Sequence, residues 1–472
     1  MTPAHREKSV DYDVAVIGGG PGGFPAAIAS ARGGARTILV ERTAALGGAA
    51  ASGLGILGFL DRSGNKALGG IAQELVDRLA ALGGSPGHFP CPVHNSITPV
   101  SPDLVKIVAV QMCQEAGVDI LFDHELFDVE LDQDQTLRSV TVFGKLSRTH
   151  IAARTFIDAT GDGDLAYLAG VPFTRGQDGT GVMQPSTLMF TVTGHDLPRF
   201  FDYLDAHPDE MGIKEEYAAG YDVDFLRRTD GHCFIGLTSS VARAREAGSF
   251  PIPRNQFIYI TTASDRLLAV NTSRIIRIDA ADPIEVSKGL ETGYQQVLEI
   301  VQFMRGVPGF EDVEISQIAP GLGVRETRHF AGANRLTVDS LYDPSTSEQA
   351  IAMSGYNIDV HSGTADGIDL TLIERAFGIP FGCLIPQQVD GLLLSGRTIS
   401  MDSSAFASAR VMGPCMAIAE AAGTAAAIGL QQDIPVREVD IAELRNRLLA
   451  GGAILPVASP TENRTPSLTS AR

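Results

Sequence analysis

The chain has 472 residues, too many for one simple core, and that length argues for two or three domains. With 44% apolar and 20% charged residues it has the composition of a folded globular protein, and its formal charge of −19 makes phosphate backbones and anionic lipid surfaces poor partners. No run approaches ~18 consecutive apolar residues, as a spanning helix requires, and the polar first ten residues carry no apolar signal-peptide core, so a cytoplasmic protein is expected.

In chain order, 13–17 is a short β-rich run that stops at Gly18-Gly19-Gly20-Pro21-Gly22-Gly23. The Ala- and Ile-rich stretch 24–32 reads as a helix ended by Gly33-Gly34, and 36–40 as a second strand, which together open a βαβ unit. A helix is predicted over 70–82, a loop over the proline-broken 86–102, a helix over 103–116 and a strand over 118–122. Residues 127–143 read as an antiparallel meander, and 155–159 as a strand entering Thr160-Gly161-Asp162-Gly163. From 173 to 380 the character changes: strands at 187–192, 257–262 and 267–271 alternate with long loops and one helix, 283–304. The α/β pattern returns at 391–396, followed by a long Ala-rich helix over 411–430 and a Pro/Ser/Thr-rich tail, 456–472, expected to be flexible.

The glycine cluster carries the first chemistry. G-x-G-x-x-G is weak alone, but Gly18, Gly20 and Gly23 have a strand before them, a helix after and a second strand beyond. In that setting they allow a tight turn, close passage of a diphosphate and packing of helix on strand, while the helix N-terminus offers free N–H groups to the phosphates. Glu41 follows the second strand, where an acid holds ribose hydroxyls and disfavours a 2′-phosphate. Gly161-Asp162 and Gly396-Arg397 each follow an apolar strand and reach towards the same crevice, and no second G-x-G-x-x-G provides a separate nicotinamide site. An elongated dinucleotide touched from both ends of the chain, FAD, is therefore expected. Five cysteines, at 91, 113, 233, 383 and 415, include no C-x-x-C pair, which argues against a disulfide framework, a structural zinc site or a dithiol centre.

These blocks, with Glu41-Arg42, Leu46-Gly47-Gly48, 156–164, 323–328, Asp359-Val360-His361, 379–386, 395–400 and 408–412, resemble the FAD-dependent oxidoreductases related to the fumarate reductase and succinate dehydrogenase flavoproteins, over nearly the whole chain. The resemblance implies an α/β fold: a discontinuous Rossmann-like FAD-binding domain (10–172 and 381–435) with an α+β substrate domain (173–380) inserted. It implies that Glu41 and Arg42 hold the adenosine side, that Gly47 and Gly48 pass the ribityl-pyrophosphate, that Asp162 lies near that chain, and that Arg410, Val411 and Met412 face the pyrimidine end of the flavin. Two departures, Ala49 after the Gly-Gly pair and Gly382 where relatives commonly carry Arg, are expected to enlarge space at the flavin face.

On the substrate side, Arg325 is either a carboxylate anchor or paired with Glu326 or Asp339, and Arg328 leans structural. The two share a face only on a helix. His361 is either the base that takes a substrate proton or a satisfied polar residue. His88, Cys91 and His94 line a site entrance, belong to an uninvolved loop or, least favoured, bind a metal; Cys383 touches the ligand or is simply small and buried. The expected activity is a dehydrogenase or oxidase passing hydride from a small polar metabolite to flavin N5. Reduction of an activated C=C bond in the fumarate-reductase manner is the alternative, and a flavin-bound redox subunit or sensor the alternative of another class. The electron acceptor and association into homo-oligomers are left open.

Overall fold

A computed structural model describes residues 6–213, 218–343 and 348–456. The expected flexible tail lies outside the described residues from 457 onward.

Five short strands form an all-parallel sheet in the spatial order Leu392–Leu394, Thr155–Asp158, Val14–Ile17, Thr37–Val40 and Asp119–Leu121. Val14–Ile17 is buried along its length, as a central parallel strand must be. The helices Phe24–Arg32, Gly70–Ala81, Pro102–Ala116 and Met412–Gln432 pack on one another beside it. Met412–Gln432 is long and apolar enough to cross a membrane by length and composition, but 83% of its most apolar window is buried inside the protein. It is hydrophobic all round because it is a core helix. Its Gly423 meets Phe24–Arg32 so closely that a Cβ there would lie 2.1 Å from the Ala26 carbonyl oxygen.

The meander is three strands, Glu125–Leu131, Leu137–Gly144 and Ser147–Ala152, joined in parallel by Arg6–Asp11, a strand the polar N-terminal sequence does not announce. Its inward residues Leu137, Val140, Val142 and Ile151 join the same core.

The expected loop 86–102 needs correction. Phe89–Cys91 and Asn95–Thr98 form a hairpin beside Ile56–Leu57, with Pro90 on an edge strand, where a missing N–H costs no ladder bond, and Asn95 at a φ of 61° closing the turn. Proline here marks a sheet edge, not the absence of a sheet.

A second apolar cluster is built on a five-stranded antiparallel sheet ordered Cys233–Gly236, Phe257–Thr261, Leu268–Val270, Phe190–Thr193, Glu314–Ile318. The helix Pro283–Met304 packs into that cluster through Val297, Ile300, Val301 and Met304, and its start is set by Asp282, whose carboxylate accepts from the N–H groups of Ile284 and Glu285. The residues of this cluster run from Leu188 to Ala319 with Cys91, Val93 and Ile97 added, whereas Phe330, Ile351, Ile358 and Phe377 pack in the first cluster. The packing division is thus narrower than the span 173–380.

Gly423→Ala should destabilise the protein by about 1–3 kcal/mol in urea unfolding, because the helix–helix contact has no room for a methyl group. Gly321→Ala, where a Cβ meets nothing within 4 Å, should stay within about 0.5 kcal/mol of the parent.

Candidate active site

The carboxyl edge of the parallel sheet is the site's floor. Gly18, Glu41, the turn at Ala159-Thr160-Gly161-Asp162 and Ser395-Gly396 follow four of its strands and line one cavity of ≈ 1780 Å³. Ligands of open α/β sheets bind at such an edge. Backbone bonds stitch two of the segments, with Gly18 N–H donating to the Val40 carbonyl (2.7 Å) and Gly47 N–H to the Gly19 carbonyl (2.9 Å), and the Ser395 side-chain hydroxyl donates to the Gly22 carbonyl (2.6 Å). Glu41, nearly buried, accepts from Gly19 N–H at 2.7 Å and from the N–H and hydroxyl of Thr43 at 2.8 and 2.7 Å. A carboxylate offers about four lone-pair sites, so capacity for ribose hydroxyls remains.

The cradle fits an extended dinucleotide. At Gly18 the backbone has a φ of 105° and a Cβ would lie 2.2 Å from the Ala159 carbonyl oxygen, so only glycine turns here. At Gly20 the reverse holds: within 4 Å a Cβ would meet only Gly48 Cα, at 3.9 Å, and the open side is the cavity. Gly48, Arg42, Asp162, Arg397, Arg410, Val411 and Met412 also line it, while Gly23 and Gly47 sit behind the lining. Asp162 accepts from Arg397 Nη2 and from the Thr327 hydroxyl, both at 3.1 Å, which ties the 160–163 turn to the strand-Gly-Arg element. Beneath that turn Asp158 is fully buried and accepts from Thr160 and Ala166; burial lifts its pKa to about 6.

Of the two substrate-side arginines, Arg325 lines the cavity. Its Nη1 donates to the Pro185 carbonyl (2.6 Å) and the Thr187 hydroxyl (2.7 Å), and it pairs with neither Glu326 nor Asp339. Glu326 instead accepts from Gln184 N–H and His329. Burial, then Arg410 and Arg254, pushes Arg325 down to about 9. Arg328 points away: it opens the strand Arg328–Phe330, pairs with Asp164 at 2.9 Å, donates to the Asp162 carbonyl and lies over Tyr167. Without a helix at 325–328 the spacing of three does not put both on one face.

His361 lines the cavity from the strand Ile358–His361, its Nε2 3.2 Å from Asp359 Oδ2 and its Nδ1 without a hydrogen-bond partner. Burial, opposed by Asp359 and reinforced by Arg325, takes its pKa down to about 3. Asp359 also accepts from the Tyr356 hydroxyl (3.0 Å) and lies 3.4 Å from Arg410; burial works against its ionised form, but the His361 ring and Arg410 hold its carboxyl well below the usual range. Asp359 is the hub that sequence reading passed over. Its position two residues before His361, on the same face of a strand, was the available signal.

The 88–94 group divides. His88 is held by Thr98 and Gln73, stacks on Phe59, drops to about 4 through burial and does not line the cavity. His94 does line it and lies 3.5 Å from the buried Cys91 thiol. Cys383 is fully buried outside the cavity lining, and burial raises it to about 12; Cys233 and Cys415 are the cysteines that reach the lining. Ala49 borders the cavity, but Gly382 does not: its open side is closed by the Asn334 side chain, so its lack of a side chain does not widen the site. All five cysteines are buried free thiols, and among the described residues no group of three His, Cys, Asp or Glu is arranged to hold a metal.

The family model for FAD dependent oxidoreductases matches residues 13–448. The chain belongs to that family. It is an enzyme and its cofactor is FAD. No curated protein matches the sequence. Among solved structures the chain is similar to a geranylgeranyl bacteriochlorophyll reductase-like protein from Thermoplasma acidophilum (14% identity, TM-score 0.46, 94% of this chain and 84% of that one). It is also similar to the myxobacterial chondrochloren halogenase CndH (14%, 0.42, 93% and 78%) and to the aromatic hydroxylase CabE of angucycline biosynthesis (14%, 0.46, 94% and 68%). None of these likenesses bears on this chain's substrate.

Gly20→Ala should weaken FAD retention about tenfold or more, measured by equilibrium dialysis. Thermal unfolding of the FAD-free protein should stay unchanged, because the added methyl enters the cavity and not the fold.

Proposed function

We propose that this flavoenzyme is a dehydrogenase or oxidase, with His361 as the proton acceptor and Arg325 as the group that orients the substrate. The observation that carries this reading is the Asp359–His361 pair on the cavity wall. A carboxylate that engages one imidazole nitrogen fixes the ring's tautomer and leaves the other nitrogen as the acceptor. With Asp359 at Nε2, the lone pair at Nδ1 is free to take a substrate proton, and the growing charge on the ring meets an ionised partner. Arg325, anchored through one nitrogen by Pro185 and Thr187, keeps the rest of its fork for the substrate. Bound FAD supplies the two-electron acceptor for the hydride leaving the substrate carbon. The side chains Glu41 and Arg42 would hold its adenosine end, and Arg410, Val411 and Met412 its pyrimidine end, where the start of a helix favours negative charge.

One observation favours a second reading, the reduction of an activated C=C bond in the manner of the fumarate reductase flavoproteins. Burial and two neighbouring arginines bring Arg325 down to about 9, which makes its guanidinium a readier proton donor. Oxidation of the reduced enzyme by unsaturated acids, without reaction with O₂, would favour that direction.

His361→Ala should slow anaerobic flavin reduction by about a hundredfold or more with FAD content unchanged. Near-normal reduction removes His361 from the mechanism. A base works above its own pKa, and His361 sits at about 3. The reduction rate should therefore show no loss from imidazole protonation as pH falls from about 8 to 5, whereas an unperturbed histidine would lose activity near pH 6.5.

A further inference from the structure

Arg254 is 2% exposed, lines the cavity, and leaves its Nε and Nη2 without a hydrogen-bond partner. It makes no ion pair among the described residues. A buried guanidinium in that state is expensive, because no hydrogen bond at those two atoms offsets its lost hydration. The carboxylate nearest in its electrostatics, Asp359, is already committed to His361, Arg410 and Tyr356. Burial and the neighbouring Arg274 depress Arg254 to about 9, still charged at neutral pH. Arg274 is largely engaged: its Nε and Nη2 donate to the carbonyls of Ser362, Ala365 and Gly367, and only its Nη1 lacks a partner. In a chain with a formal charge of −19, this wall of the cavity carries an unneutralised cation.

Its neighbours describe the rest of the ligand. Ile258 and Ile260 share one face of the strand Phe257–Thr261 and line the cavity, and Arg254, Asn255 and Gln256, which run into that strand, line it as well; Phe257 and Tyr259 are buried in the second core. Across the ladder Ile235 pairs with Ile258, and Cys233 with Ile260, extending the same apolar face. The wall is polar and cationic at one end and apolar at the other. A fork of N–H donors matches a planar carboxylate through two parallel bonds, and the isoleucine face matches a hydrocarbon or aromatic body.

We propose that Arg254 binds the carboxylate of an organic acid whose apolar body lies along Ile235, Ile258 and Ile260. This rests on the reading of the cavity as the substrate side of the flavoenzyme, and it replaces the small polar metabolite of that reading by an amphiphilic acid.

The test is calorimetric binding to the FAD-loaded protein, with 4-phenylbutyrate, its neutral amide, acetate and inorganic phosphate as probes. Phenylbutyrate should bind at least about tenfold more tightly than each of the other three, and Arg254→Met should remove at least about tenfold of its affinity while amide binding stays the same. Since Arg254 satisfies nothing in the fold, Arg254→Met should keep its FAD and unfold at or above the parent temperature. Equal binding of acid and amide, undiminished binding by Arg254→Met, or loss of FAD and folding in that variant would each overturn the assignment. Tighter binding of phosphate would overturn the carboxylate, and equal binding of acetate the apolar body. An acid bound through Arg254 that never bleaches the flavin would defeat the dehydrogenase reading alone. A neutral compound that bleaches it equally in parent and Arg254→Met would defeat this inference alone.

Discussion

Everything in this protein depends on backbones meeting without side chains between them at the carboxyl edge of one parallel sheet. A Cβ on Gly23 would lie 1.7 Å from the Gly18 carbonyl oxygen, and one on Gly22 would crowd Gly396 at 3.2 Å. The second contact joins segments 374 positions apart in sequence (396 − 22). With the close approach of Gly18 to Ala159, these contacts hold the first strand–helix turn, the 160–163 turn and the 395–397 turn in register, so three peptide segments line one crevice. A side chain at the contact would separate the halves of a discontinuous domain and with them the two ends of the cofactor site.

Against that stiff floor the opposite wall is electrostatic. One carboxylate, Asp359, organises His361, Tyr356 and Arg410, while Arg325 and Arg254 stand without a carboxylate of their own. Low dielectric magnifies both halves of this arrangement: it strengthens the Asp359 pairs and makes each unpaired cation costly until a ligand meets it. Stability and recognition therefore pull apart here. The fold would be better served by apolar residues at 254 and 325, and the charge kept at those positions is most simply accounted for by what enters the cavity.

Much of the first half of this picture was legible in the sequence. Strand, glycine turn, helix and acid lie within thirty residues, so their chemistry is local, and Pro283–Met304 was readable to the residue because Asp282 and Pro283 mark its start. Other elements were hidden by the same local logic. Pro90 suggested a loop because edge position is not a sequence property, and Arg6–Asp11 needed a partner strand at 147–152 before it became a strand at all.

The sequence by itself pointed to FAD and to the FAD-dependent oxidoreductases, because glycine and acid at set spacings suffice to shape a turn that can hold a dinucleotide. It also brought Arg325 and His361 forward as candidates. Only the tertiary structure decided their company. It turned Arg328 away onto Asp164, removed His88 and Cys383 from the cavity, supplied Asp359 as the partner of His361, and exposed Arg254 as a buried cation with nothing to pair with. The physical reason is that pairing and burial are properties of neighbours from distant parts of the chain, and an arginine's sequence neighbours do not say whether its guanidinium finds a carbonyl, a carboxylate or an open cavity.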